Sequence, residues 1–196
     1  ARVVPRAVAK AIRMSPRRFQ ILSLDGGGYR GMFSAAFLAR IEQDLRVRIA
    51  DHFDLIVGTS TGGIIALGLG ASLSPTEITE FYVEHGPGIF GGRRRRTARQ
   101  LLRSKYPPHG LRQALQSVFG DKRFGDSATP LCLPAYDLRN DDVVVFRTPH
   151  DAKLRRDWRE SMVDVALATS AAPTYLPATS LGDRRLVDGG VWANNP

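Results

Sequence analysis

Phe53-Asp54-Leu55-Ile56-Val57-Gly58-Thr59-Ser60-Thr61-Gly62-Gly63 is the stretch whose reading decides the fold. Phe53 to Val57 is an apolar run of strand length, Gly58 to Gly63 is a glycine-rich turn, and Ile64 to Leu69 has the character of a buried helix. A serine in Gly-x-Ser-x-Gly between a strand and a helix sits on a sharp turn, its hydroxyl pushed out above the sheet. Glycines at 58 and 62 remove side chains that would collide in that turn. The following helix directs free amides and its positive dipole end at the serine, which favours developing negative charge. Gly-x-Ser-x-Gly by itself is a weak pattern. The apolar residues before and after it supply the required context, and Ser60 is the candidate nucleophile.

Working outward, Phe19 to Leu24 reads as a strand that ends in Asp25 and three glycines. Phe33, Phe37, Ile41, Leu45 and Ile49 recur every four residues, which predicts an amphipathic helix over Met32 to Arg48. Ser74-Pro75-Thr76-Glu77 starts a helix, with Ser as cap, Pro at the first position and Glu at the third, running to about Glu84. Gly86 to Pro108 reads as an excursion and Leu111 to Phe119 as a short helix. Leu131 to Tyr136 and Val143 to Phe146 read as a hairpin-like pair of strands. Ser161 to Thr169 reads as a helix stopped by Ala172-Pro173, and Arg185 to Val187 as a short strand leading into Asp188-Gly189-Gly190. Strands alternating with helices predict an α/β layered fold with a largely parallel sheet and an antiparallel portion at the hairpin. Trp158 and Trp192 read as core residues.

With 196 residues, 43% hydrophobic and 24% charged, the chain suits one globular domain and not a disordered one. No apolar run approaches the ~18 residues of a membrane span. The basic start, 1–18, is broken by Pro5 and Pro16 and reads as an N-terminal extension without signal-peptide character, ahead of a domain over 19–196. A single cysteine, Cys132, excludes an internal disulfide and a cysteine-cluster metal site, and is expected in the core of a protein kept in a reducing, cytoplasmic setting. The net charge of +9 favours anionic partners. Gly91 to Lys105 carries the run Arg93 to Arg96 and no acid, fitting an anionic membrane, an anionic nucleotide activator or a solvated loop.

Asp25-Gly26-Gly27-Gly28-Tyr29-Arg30-Gly31 offers two readings. Gly26, Gly28 and Gly31 fit the Gly-x-Gly-x-x-Gly fingerprint of a nucleotide-binding module. That fingerprint wants an acidic residue at the end of the second strand, where Val57-Gly58 stands instead. The alternative is that the amides of Gly26, Gly27 and Gly28 converge on an oxyanion, with the charge of Arg30 nearby. The base for Ser60 stays open at this point. Asp126 followed by His150 matches the chain order of a Ser-acid-His triad. Asp188, at a strand end before two glycines, matches a two-residue arrangement, and it is equally the aspartate of an ordinary turn.

Four motifs then occur in order: Asp-Gly-Gly-Gly-x-Arg-Gly at 25–31, Gly-Thr-Ser-Thr-Gly-Gly at 58–63, Thr-Ser-Ala-Ala-Pro-Thr-Tyr at 169–175 and Asp-Gly-Gly at 188–190. Together they resemble the patatin-like phospholipase family over Phe19 to Pro196. The resemblance implies a three-layer α/β/α fold and a Ser60–Asp188 dyad. It implies an oxyanion hole of Gly26, Gly27, Gly28 and Arg30, and no metal or organic cofactor. It implies hydrolysis of acyl esters at a phospholipid membrane surface by a cytoplasmic protein that is peripheral when active. Family members continue past Asn194-Asn195-Pro196, so a C-terminal portion is expected to be lacking. The motifs look more like the bacterial branch switched on by cyclic nucleotides than like plant storage patatins, which implies a cyclic nucleotide activator and no specific nucleic acid. An esterase or thioesterase for soluble acyl groups is the alternative within the same chemistry.

Overall fold

The computed structural model describes residues 18–90 and 108–196. Residues 1–17 of the N-terminal extension and the Arg93 to Arg96 run lie outside the described residues. The strands are β1 (Ile21–Leu24), β2 (Leu55–Gly58), β3 (Leu131–Asp137), β4 (Asp142–Arg147), β5 (Thr179–Leu181) and β6 (Arg184–Asp188). The helices are α1 (Gly31–Leu45), α2 (Thr61–Gly70), α3 (Pro75–Phe90), α4 (Pro108–Phe119) and α5 (Met162–Ser170).

The strands form one mixed sheet whose hydrogen-bonded path is β1-β2-β3-β6-β5, with β4 also paired to β3. Pairing is parallel through β1, β2 and β3 and antiparallel for β3/β4, β3/β6 and β5/β6. The antiparallel share is thus larger than the sequence suggests, because β5 and β6 add a second hairpin. The three-residue β5 is too short to register as a period.

The register places the site. β4 pairs along β3 from Cys132 to Asp137 and so occupies one whole edge of it. Only the other edge remains for both β2, opposite Leu131 and Cys132, and β6, opposite Ala135 to Asp137. β2 runs parallel to β3 and β6 antiparallel, so their C-terminal ends point at each other along that edge. Pro134 lies in the gap between them. A proline in an inner strand is tolerated where no ladder N–H is required.

Helix α2 is buried along its whole length, as its near-continuous apolar sequence demands. It packs on β1 and β2, while α5 packs on β3, β5 and β6, and α2 and α5 touch each other on the same face of the sheet. Helices α1, α3 and α4 pack around this pair, α1 chiefly against α3 and α4 against α5. Leu24, Ile56, Leu131, Leu133, Phe146 and Leu186 carry the core from the sheet to the helices.

Three local expectations change. Helix α1 exists, but Phe33, Phe37 and Leu45 face outward, and Gly31, Ala35, Leu38 and Ala39 form the buried stripe. Small residues let α1 close on α3, which a stripe of phenylalanines would hold apart. Helix α3 starts on the expected capping box, with Ser74 N–H donating to Glu77 Oε2 at 2.7 Å and Glu77 N–H to Ser74 Oγ at 3.2 Å. It then continues through Gly86, Pro87 and Gly88 to Phe90. Burial of Ile89, and the Tyr29 ring lying on Gly86, override the poor helix propensity of those residues. Finally, Trp158 and Trp192 are exposed by more than a third. Trp192 Nε1 donates to Ala135 O at 2.9 Å, and the Arg159 guanidinium covers the Trp158 ring.

Candidate active site

Ser60 caps the N-terminus of α2 with φ 57° and ψ −122°, a conformation that disfavours any residue with a Cβ. The turn is made by close approach. A Cβ on Gly58 would collide with the Gly62 backbone, and one on Gly62 with the carbonyl of Leu24 at the end of β1. The two residues beside the serine anchor it. Thr59 Oγ1 donates to Ala193 O at 2.6 Å, and Tyr82 OH, fully buried in α3, donates to Thr61 O at 3.0 Å. Burial drives the Tyr82 phenol far above its ordinary pKa, so it stays a neutral donor.

Asp188 ends β6, level with Ala135 of β3. Asp188 is 4% exposed and Ser60 8%. The Ser60 hydroxyl lies near enough to this carboxyl to lower its pKa, and Gly190 N–H donates to Asp188 Oδ1 at 2.7 Å. Burial raises the Asp188 pKa above the ordinary carboxylate value, and the Ser60 hydroxyl and the Gly190 N–H pull in the opposite direction without reversing it. An aspartate so placed is a better proton acceptor than one in water.

The glycine loop lies against the nucleophile turn: a Cβ on Gly26 would stand 3.2 Å from Ser60 Cβ. Its three amides differ in their bonding. Gly26 N–H donates to Asn194 O at 3.0 Å and Gly27 N–H to Thr61 Oγ1 at 3.2 Å. Gly28, at φ 59°, has no such partner for its N–H among the described residues, which leaves that amide open to a ligand. Arg30 is exposed and is the N-cap of α1.

The structure therefore brings Ser60, Asp188 and Gly26 to Gly28 together. It does not bring Asp126 and His150 to them. Asp126 Oδ2 accepts from Arg123 N–H at 2.8 Å, and His150 Nδ1 pairs with Thr148 Oγ1 at 3.1 Å. Cys132 is half-buried on β3. Sequence reasoning missed Thr59, Thr61, Thr169 and Asn194. Threonine at both variable positions of Gly-x-Ser-x-Gly was the available signal, since each hydroxyl ties the turn to a different loop. Asn194 and Asn195 close the arrangement: Asn194 Nδ2 lies 3.4 Å from Gly26 O, and Asn195 Nδ2 donates to Asp25 Oδ1 at 2.8 Å.

Sheet and site together define an α/β protein in which a strained serine meets a buried aspartate beside a glycine-rich loop. The chain belongs to the patatin-like phospholipase family, whose model matches residues 22–196. It is 40% identical over 180 residues to a cGAMP-activated phospholipase of Pseudomonas aeruginosa strain BWHPSA011 / Pa011, covering 91% of this chain and 54% of that protein. It is 38% identical over 191 residues to a cGAMP-activated phospholipase of Escherichia coli strain TW11681, covering 91% of this chain and 54% of the relative. The chain thus spans about half the length of these curated relatives. Among solved structures, VipD from Legionella pneumophila shares the fold, with a TM-score of 0.56 at 11% identity over 90% of this chain and 47% of VipD. Among the described residues, no helix is long and apolar enough to cross a membrane.

Proposed function

We propose that this chain is the catalytic portion of a phospholipase A-type acyl hydrolase working through a Ser60–Asp188 dyad. Ser60 Oγ attacks the acyl carbonyl of a membrane lipid, and its proton passes to Asp188. The carbonyl oxygen takes up negative charge beside the Gly28 N–H, held in place by Gly26 and Gly27, with Arg30 nearby. The intermediate collapses, the lyso-lipid alcohol leaves with the proton from Asp188, and Ser60 holds the acyl group. Water, deprotonated by Asp188, then releases the fatty acid.

The observation that carries this reading is the meeting of Ser60 and Asp188 where β2 and β6 converge, with the serine in a strained conformation. The nucleotide-module alternative finds less support, because Gly26 and Gly27 N–H are taken by Asn194 and Thr61 and are not free to cradle a pyrophosphate. The names of the relatives support a cyclic nucleotide activator acting on the whole protein. The net charge of +9 supports peripheral docking on anionic phospholipid. Incubation with phosphatidylglycerol vesicles, with and without cGAMP, followed by lipid mass spectrometry tests it. Release of fatty acid and lyso-lipid by the wild type and not by Ser60→Ala or Asp188→Asn is expected. Undiminished release by either variant overturns the mechanism.

A further inference from the structure

A buried hydroxyl reaches into the gap on the edge of β3. Thr169, near the end of α5, is completely buried. Its Oγ1 donates to Pro134 O at 2.7 Å and accepts from the main-chain N–H of Ser60 at 3.3 Å. Pro134 has no N–H, and its carbonyl faces neither β2 nor β6, whose paired residues stop on either side of it. The next residue, Ala135, is the register partner of Asp188. One hydroxyl therefore ties the amide of the serine to the strand that positions the aspartate. Its methyl completes the fit, since a Cβ on Gly63 in the first turn of α2 would stand 2.7 Å from Thr169 Cγ2.

We propose that Thr169 is a positioning residue for the dyad, setting the separation of Ser60 from Asp188 by holding the Ser60 N–H against Pro134 O. This rests on the dyad reading above and adds to it a residue that touches no substrate. Its physical basis is that a buried N–H left without an acceptor is costly, so the turn relaxes toward another partner once the hydroxyl is gone. Misplacement by about 1 Å of a reacting group costs on the order of 100-fold in rate.

The consequence reaches the acid limb of activity. Among the described residues, the groups acting on the Asp188 carboxyl are the Ser60 hydroxyl and the Gly190 N–H, both lowering its pKa against burial. If the serine moves off, one lowering influence goes and the acid limb moves to higher pH.

The test compares wild type with Thr169→Val, Thr169→Ala and Thr169→Ser. It measures the rate of Ser60 labelling by a fluorophosphonate probe, kcat and KM for a p-nitrophenyl ester across pH, and Tm. Val and Ala are expected to slow labelling and lower kcat by about 10-fold to 100-fold at unchanged KM, with an acid limb at higher pH. Ser, which keeps the hydroxyl, is expected to stay within about 3-fold of wild type with an unmoved limb. Lower Tm in Val and Ala without a change in labelling rate or acid limb reduces Thr169 to a fold residue and overturns the proposal. Ala serves if Val does not fold. Wild type that fails to label at Ser60 overturns the dyad reading itself, whereas wild type that labels alongside an equally reactive Val or Ala variant overturns only the role of Thr169.

Discussion

The conformation of Ser60 makes a prediction that needs no substrate. At φ 57° and ψ −122° a residue with a Cβ carries strain on the order of 1–3 kcal/mol, and glycine carries almost none. Ser60→Ala keeps that strain; Ser60→Gly removes it. Glycine returns part of the gain through the freedom of its unfolded chain, about 0.5–1 kcal/mol. Both variants lose the hydroxyl and its contact with Asp188, so that loss cancels between them. The balance favours the glycine variant by about 1 kcal/mol, which for a chain of 196 residues corresponds to a Tm higher by roughly 2–4 °C. Thermal melts of the two variants followed by circular dichroism, in one buffer and at one concentration, read it directly. A glycine variant that melts at or below the alanine variant refutes the strained turn, and with it the argument that strain presents the hydroxyl.

Two further outcomes follow from the same geometry. Because burial raises the Asp188 pKa above its unfolded value, the folded state holds that proton more tightly. The stability it contributes is full below the ordinary carboxylate pKa and is lost as pH rises through the raised folded pKa. Asp188→Asn is uncharged at every pH, so it melts above wild type at pH 8 while losing ester hydrolysis, and the gap closes toward pH 4. Melting curves across pH check this, and a gap independent of pH contradicts it. Alanine at two glycines separates close approach from backbone conformation. Gly62→Ala meets the backbone carbonyls of Leu24 and Asp25 and costs several kcal/mol or abolishes folding, whereas Gly28→Ala meets open space and costs about 1 kcal/mol through its φ of 59° alone. Urea titrations of the two rank them.

Much of the site was legible because its chemistry is local. A serine between glycines after an apolar strand requires its sharp turn, and the capping box at Ser74 and Glu77 requires its helix start. Asp188 was legible only as a presented carboxylate. That it meets Ser60 depends on two strands converging along one edge of β3, and no run of residues encodes this by itself. Pro134 was the available hint, a proline inside a strand where the ladder is interrupted. The outward face of α1 was misread for a related reason. Phe33 and Phe37 make the more hydrophobic stripe, but close packing on α3 selects the smaller Ala35 and Ala39. The end of α3 was misread because the burial of Ile89, a tertiary effect, outweighs Gly86, Pro87 and Gly88. The tasks of Gly26 and Gly27 depend on Asn194 and Thr61, which lie far along the chain from them.

The most direct test of the central claim is the site and rate of covalent modification by a fluorophosphonate probe, mapped by peptide mass spectrometry on wild type and Asp188→Asn. The account predicts modification at Ser60 in wild type and a loss of rate by at least about 100-fold when the aspartate is neutralised. Modification at another residue, or an equal rate in both proteins, would contradict it.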